Sequence, residues 1–102
     1  MNRGEVWWVE TPGGRRPHLV LTRQAAIPLF YSVLAIPATR TIRGIPTEVE
    51  LDEADGMPER CALALDNATL IPKELFARRI CALEPGRMTA VCAALKEAVE
   101  CP

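Results

Sequence analysis

Hydrophobic residues along this chain come in short runs separated by turn formers, and only the C-terminal end breaks that rhythm. Residues 4–10, GEVWWVE, are rich in aromatic and β-branched side chains and predict a first strand. The TPGG after it predicts a tight turn, and residues 15–22 predict a second strand. RQAAIPLF reads as a turn or short helical piece ending near Pro28. YSVLAIPAT, residues 31–39, predicts a third strand that Pro37 pushes toward an edge or a bulge. After a turn at RGIP, TEVEL (47–51) alternates as a half-exposed strand does. DEADGMP is a polar loop and CALALD (61–66) a further strand. ATLIP and RRICALE suggest two more short strands around a helical turn at PKELF. From Pro85, a residue suited to a first helical position, Met88, Val91, Cys92, Leu95 and Val99 recur at helical spacing and predict one apolar face. The expected architecture is one small, mostly β domain over residues 1–102, a curled sheet or barrel with a C-terminal helix packed on it.

Alternation sorts the strand side chains between two faces. In the second predicted strand Pro17, Leu19 and Leu21 share the inward side, whereas Arg16, His18, Val20 and Thr22 share the other. In the third, Leu34, Ile36 and Ala38 point inward and Thr39 outward, followed on that parity by Thr41 and Arg43. If the two strands are neighbours, Arg16 and Thr39 share one outer face, where a guanidinium and a hydroxyl make a phosphate-sized site. Surface strands also begin with arginine and threonine for solubility alone, and the pattern leaves both readings open.

Composition narrows the chemistry. At 102 residues and 49% hydrophobic content the chain holds one modest core. The net charge of −1 argues against a wholly basic surface, but the distribution is lopsided. Residues 1–46 carry six arginines against two glutamates, and residues 47–102 carry six bases against eleven acids. A half whose bases are all arginine suits a local anionic site. Cys61, Cys81, Cys92 and Cys101 lack C-x-x-C spacing and His18 is the sole histidine, so neither a metal site nor a cofactor is expected. Cys81 and Cys92 read as small core residues and Cys101 as exposed. The N-terminus lacks the apolar region of a signal peptide. The longest uncharged stretch, Gln24–Thr39, is too short to span a bilayer, so a cytoplasmic protein with no membrane partner is expected. If the site acts on RNA without metal, the ribose 2′-OH is the nucleophile. The protein then has to move protons and stabilise charge on the phosphate. One histidine rules out a histidine pair, which leaves arginine to steady the phosphorane.

RGEVWWV (3–9), RRPHLVLTR (15–23), PATRTIRGIPTEVEL (37–51), LDNATLIPK (65–73) and LEPGRMTAVCAAL (83–95) occur in an order that resembles the MazF/PemK family of toxin endoribonucleases over nearly the whole chain. The resemblance implies an SH3-like barrel with a C-terminal helix, usually a homodimer. It implies metal-independent, sequence-selective cleavage of single-stranded RNA to 2′,3′-cyclic phosphate and 5′-OH ends. It also implies a cognate antitoxin whose acidic segment occupies the RNA groove. By that analogy Arg16 acts on the scissile phosphate and its proton transfers, and Thr39 helps hold the transition-state charge. Arg15, Arg40, Thr41 and Arg43 are the expected RNA contacts, with solvated turn residues as the plain reading of each.

The chain departs from its relatives in three places. No acid falls between Thr11 and Arg15, where many relatives carry one, so no glutamate is given a role. His18 replaces a small apolar residue and reads either as an idle surface histidine or as an RNA contact or proton carrier. Gln24 stands where relatives often have an aspartate, which weakens a turn cap. Trp7 and Trp8 must face opposite sides of one strand, and packing is expected for both. Two rivals remain: a CcdB-like toxin that binds DNA gyrase, against which the non-aromatic C-terminus counts, and a non-catalytic barrel that binds an antitoxin.

Overall fold

The fold was analysed in a computed structural model, which describes residues 1–101. Seven strands are present: β1 (Glu5–Thr11), β2 (Gly14–Val20), β3 (Ser32–Thr39), β4 (Glu48–Leu51), β5 (Cys61–Ala64), β6 (Thr69–Pro72) and β7 (Phe76–Ala82). One helix, α1 (Pro85–Val99), follows them. The strands form an antiparallel sheet in the order β4–β5–β3–β2–β1–β7, with β6 also paired to β3. The mostly β architecture with a terminal helix is the one the sequence predicts. The differences lie at element ends. β2 stops at Val20, and the predicted 61–66 strand gives way at Leu65 to a single 3-10 turn. Gln24–Ala26 and Lys73–Leu75 are further 3-10 turns.

The hub is β3. Ala35 pairs with Val20 of β2 on one edge and with Thr69 of β6 on the other, and the strand's last two residues pair with β5. One apolar cluster fills the curl of the sheet. Leu19, Ile36, Ala38, Leu63 and Leu65 form its centre, and Val91 and Ala94 of α1 close it. A second cluster lies on the reverse face and joins Val9, Val20, Val33 and Ala35 to Ile27, Ile71 and Phe76. That second cluster corrects the outward assignment of His18 and Val20. Both are buried, because the turn after β2 and the β6–β7 connection cover the reverse face of β2.

The helix turns Met88, Val91 and Leu95 of the predicted stripe to the core, but Ala90, Ala94 and Ala98 take the places expected of Cys92 and Val99. Val91 and Ala94 are buried, Met88, Ala90, Leu95 and Ala98 pack beside them, and Val99 is 58% exposed. Small alanines carry the seam, and weighting only the bulky residues rotates the expected face. Cys92 is correspondingly only half-buried, whereas Cys81 is buried and Cys101 exposed. Gly56 turns the chain before Met57 at φ +96, and a Cβ there would stand 2.7 Å from the Cβ of Cys81. A side chain at that position is therefore strained on both counts.

Glu5, at the start of β1, is buried. It accepts hydrogen bonds from the Asn2 amide (2.8 Å), the Trp7 indole (3.1 Å) and the Arg79 guanidinium (2.9 Å). Burial alone would push its carboxyl up, but these donors together hold it below the ordinary value of 4.5. A depressed native value stabilises the fold above the unfolded carboxyl's pKa, and that contribution disappears as pH falls through the native one. Urea unfolding between neutral pH and pH 3 is therefore expected to show a shallower acid loss for Glu5→Gln than for the parent. Parallel curves would remove Glu5 from the acid sensitivity.

Candidate active site

The β1–β2 hairpin closes through Pro12–Gly13, with Gly14 at φ +106, and sets Val9 opposite Arg16 and Glu10 opposite Arg15. Arg15 Nε lies 2.6 Å from Glu10 Oε1 across that hairpin, in an exposed pair. The β2–β3 pairing runs Val20↔Ala35, Leu19↔Ile36, His18↔Pro37. Carried two residues further, this register would bring Arg16 level with Thr39. The ladder stops first: Pro17 brings no N–H to it, and β3 turns to pair Ala38↔Leu63 and Thr39↔Ala62 with β5. The ends of β2 and β3 part here, and a cavity of about 330 Å³ opens between them.

Arg15 and Arg16 reach this cavity from β2, Thr39 from the end of β3 and Arg40 from just beyond it. Trp8, Pro17, Ala38, Met57, Pro58 and Cys61 supply apolar surface, and Glu59 is the one carboxylate among the lining residues. Residues of both strand parities meet here because the sheet splits. Three guanidinium groups around a hydroxyl favour an anion. Thr39 Oγ1 accepts the Thr41 amide hydrogen at 3.1 Å, so its own hydroxyl proton is left to donate. Arg40 is mostly solvated and sits 3.5 Å from Glu59 Oε1.

The cavity thus gathers Arg15, Arg16, Thr39 and Arg40 from the predicted set. Thr41 and Arg43 do not line it. Thr41 touches the site through Thr39, and the Arg43 and Gly44 amides bind Glu48 Oε1 at 2.9 and 3.1 Å, which ties down the loop after β3. His18 is another correction. It shares strand parity with Arg16 but is 4% exposed, packed between Trp7 and Pro37 of the flanking strands. Its Nδ1 lies 3.1 Å from the Arg16 carbonyl oxygen, which only accepts, so Nδ1 carries the hydrogen. Burial outweighs the opposing hydrogen bond to the Arg16 carbonyl and lowers its pKa, which favours the neutral ring. The turn at Gln24–Ala26 has no side-chain cap, in keeping with the expected weakening, and Gln24 binds the N-terminal segment through the Arg3 amide and Asn2 Oδ1.

Sequence reasoning missed Trp8, Met57, Pro58 and Glu59. Trp7 packs edge-on against Phe76, with ring centroids 6.4 Å apart, whereas Trp8 is half-buried and turns to the cavity. The loop Met57–Glu59 is adjacent to Arg16 only through the β5–β3–β2 order, which no local pattern reveals. Burial, and then the nearby acids Glu59 and Asp55, push the Cys61 thiol up to about 11, so it stays protonated at neutral pH. Among the described residues no three His, Cys, Asp or Glu side chains gather as a metal-binding set, and no helix is long and apolar enough to cross a membrane.

Residues 2–99 match the family model described as PemK-like, MazF-like toxin of type II toxin–antitoxin system. A Mycobacterium tuberculosis protein named probable endoribonuclease MazF5 is 45% identical over 101 residues, covering 97% of this chain and 93% of its own. Probable endoribonuclease MazF2 of the same organism is 39% identical over 102 residues, 99% of this chain and all of its own. Among solved structures, the Mycobacterium tuberculosis toxin MazF-mt6 superposes with a TM-score of 0.89 at 28% identity, over 96% of this chain and 98% of its own. An endoribonuclease from a mycobacterial species, in complex with its cognate antitoxin, superposes with a TM-score of 0.92 at 25% identity, over 100% and 97% of the two chains. With a family match over nearly its full length and relatives aligned end to end, the chain belongs to the PemK/MazF family of type II toxin–antitoxin toxins.

Proposed function

We propose that this chain is a cytoplasmic endoribonuclease toxin that cuts single-stranded RNA at short sequences, with Arg16 and Thr39 acting on the scissile phosphate. The observation that carries the reading is their meeting at one cavity, where β2 and β3 part and Arg15 and Arg40 add positive charge. A phosphodiester entering that gap meets the Arg16 guanidinium through two parallel N–H donors and the Thr39 hydroxyl through one O–H. As a base in the cavity takes the 2′-OH proton, attack of the ribose 2′-oxygen on phosphorus forms the O2′–P bond and builds negative charge on the non-bridging oxygens. Donors already aimed at that position stabilise the charge as it develops. The P–O5′ bond then breaks, and the departing oxygen, a basic alkoxide, takes a proton from Arg16. The products are a 2′,3′-cyclic phosphate and a 5′-OH.

The requirement for a 2′-OH restricts the substrate to RNA. Arg15, Arg40 and Arg43 contact the flanking backbone, and Thr41 acts through its bond to Thr39. A cognate antitoxin, the partner of the similar mycobacterial endoribonuclease, covers the same cavity with an acidic segment. A homodimer goes with the family reading, and the exposed apolar residues Leu29, Phe30, Tyr31 and Leu70 supply surface to bury in it. The test is cleavage of single-stranded RNA by the purified chain in excess EDTA. Cyclic phosphate and 5′-OH ends, at a rate that EDTA leaves unchanged, are expected. Strict dependence on added magnesium, or 5′-phosphate ends, would contradict the mechanism.

A further inference from the structure

Attack by a 2′-OH needs a group to take its proton, and few of the groups lining the cavity can serve. Arg15, Arg16 and Arg40 are cations at any working pH and accept nothing. The Cys61 thiol, pushed up to about 11, is protonated. His18 is neutral, but it lies outside the lining, and its Nδ1–H is held by the Arg16 carbonyl. Thr39 is a donor here. What remains is Glu59.

The geometry points to Glu59 as the general base of the reaction, a catalytic residue supplied by the loop into β5. This rests on the nuclease reading above. The strand order β5–β3–β2 puts Thr39 in the middle, with Glu59 on the β5 side of the cavity and Arg16 on the β2 side. In-line displacement at phosphorus requires the attacking and leaving oxygens on opposite sides, so base and acid belong on opposite walls. Among the described residues Glu59 makes one ion pair, the 3.5 Å contact with the exposed Arg40, which leaves carboxylate oxygen to meet substrate. A carboxylate in a cavity built for a polyanion repels its ligand, and proton transfer gives that placement a use.

Protons balance across the step. The 2′-O–H bond breaks with its proton going to Glu59 as O2′–P forms, and the 5′-oxygen takes a proton from Arg16 as P–O5′ breaks. Glu59 ends protonated and Arg16 neutral, and exchange through water restores both. The charged groups facing Glu59 are Arg40 from just beyond β3 and Arg15 and Arg16 from β2. On its own segment Arg60 is paired with Glu50 of β4, and Asp55 with Arg87 of α1.

The experiment is single-turnover cleavage of one RNA at neutral pH by the parent protein, Glu59→Gln, Glu59→Asp and Arg16→Ala. Glu59→Gln is expected to cut about 10²–10³-fold more slowly at saturating RNA, with little change in RNA affinity. Glu59→Asp, which keeps a carboxylate on a shorter stem, should recover part of the lost rate. A Glu59→Gln protein that cuts at the parent rate, or that loses only affinity, overturns the assignment. If Arg16→Ala is dead in the same series, the nuclease reading stands without it. A parent protein that cuts no RNA would overturn both.

Discussion

Arg16→Ala is expected to lower RNA cleavage by about 10²–10⁴-fold while thermal unfolding stays within a degree or two of the parent, the range of lost acid–base and charge-stabilising groups. The separation of the two effects follows from the structure. Arg16 is exposed, and among the described residues it forms no salt bridge. The local backbone is held instead by the Val9↔Arg16 and Trp8↔Pro17 pairing and by the His18 ring on the Arg16 carbonyl, neither of which needs the guanidinium. Arg16→Lys restores a charge but not the planar fork, so it should recover RNA binding better than turnover. Cleavage by Arg16→Ala at the parent rate would remove the mechanism. Loss of folding along with activity would show that Arg16 supports the hairpin rather than the reaction.

The second large effect is on stability. Ile36→Ala should cost about 2–5 kcal/mol in urea unfolding. Ile36 is fully buried in the main cluster, opposite Leu19, on the strand that pairs with β2, β5 and β6. A domain of this size holds about 5–15 kcal/mol in all, so the variant stands near the threshold of folding. Activity should then fall with temperature earlier than in the parent, because Thr39 ends the same strand. A cost below about 1 kcal/mol would mean that the sheet repacks around the cavity.

The architecture was legible wherever a local signal was strong. Alternation in GEVWWVE and TEVEL, the glycines of the first hairpin and the helical spacing after Pro85 each predict an element that is present. Parity pointed to Arg16 and Thr39 as neighbours across β2 and β3, but their meeting rests on the ends of those strands parting, which also brings Arg15, Pro17 and Ala38 of the other parity to the cavity. The same argument failed for His18 and Val20 because it assumed one core. Strands packed on both faces do not alternate between buried and solvated, and the cover from Ile27, Ile71 and Phe76 is tertiary. The helix seam was right at Met88, Val91 and Leu95 and wrong at Cys92 and Val99, because alanine is small enough to be overlooked and fits best where a helix approaches a sheet. Glu59 looked like one more charge in the polar stretch before Cys61. Its place beside Arg40 comes from the β3–β5 pairing, a contact between residues nineteen positions apart.

The central claim is that one phosphodiester sits between the guanidinium of Arg16 and the hydroxyl of Thr39. It is tested most directly by a crystal structure of the protein with an oligoribonucleotide made uncleavable by a single 2′-deoxy substitution at the cut site. The account predicts the scissile phosphate in the gap between β2 and β3, with a non-bridging oxygen about 2.7–3.0 Å from an Arg16 nitrogen and another from Thr39 Oγ1. Scissile phosphate density elsewhere on the surface, with Arg16 and Thr39 still facing solvent, would contradict it.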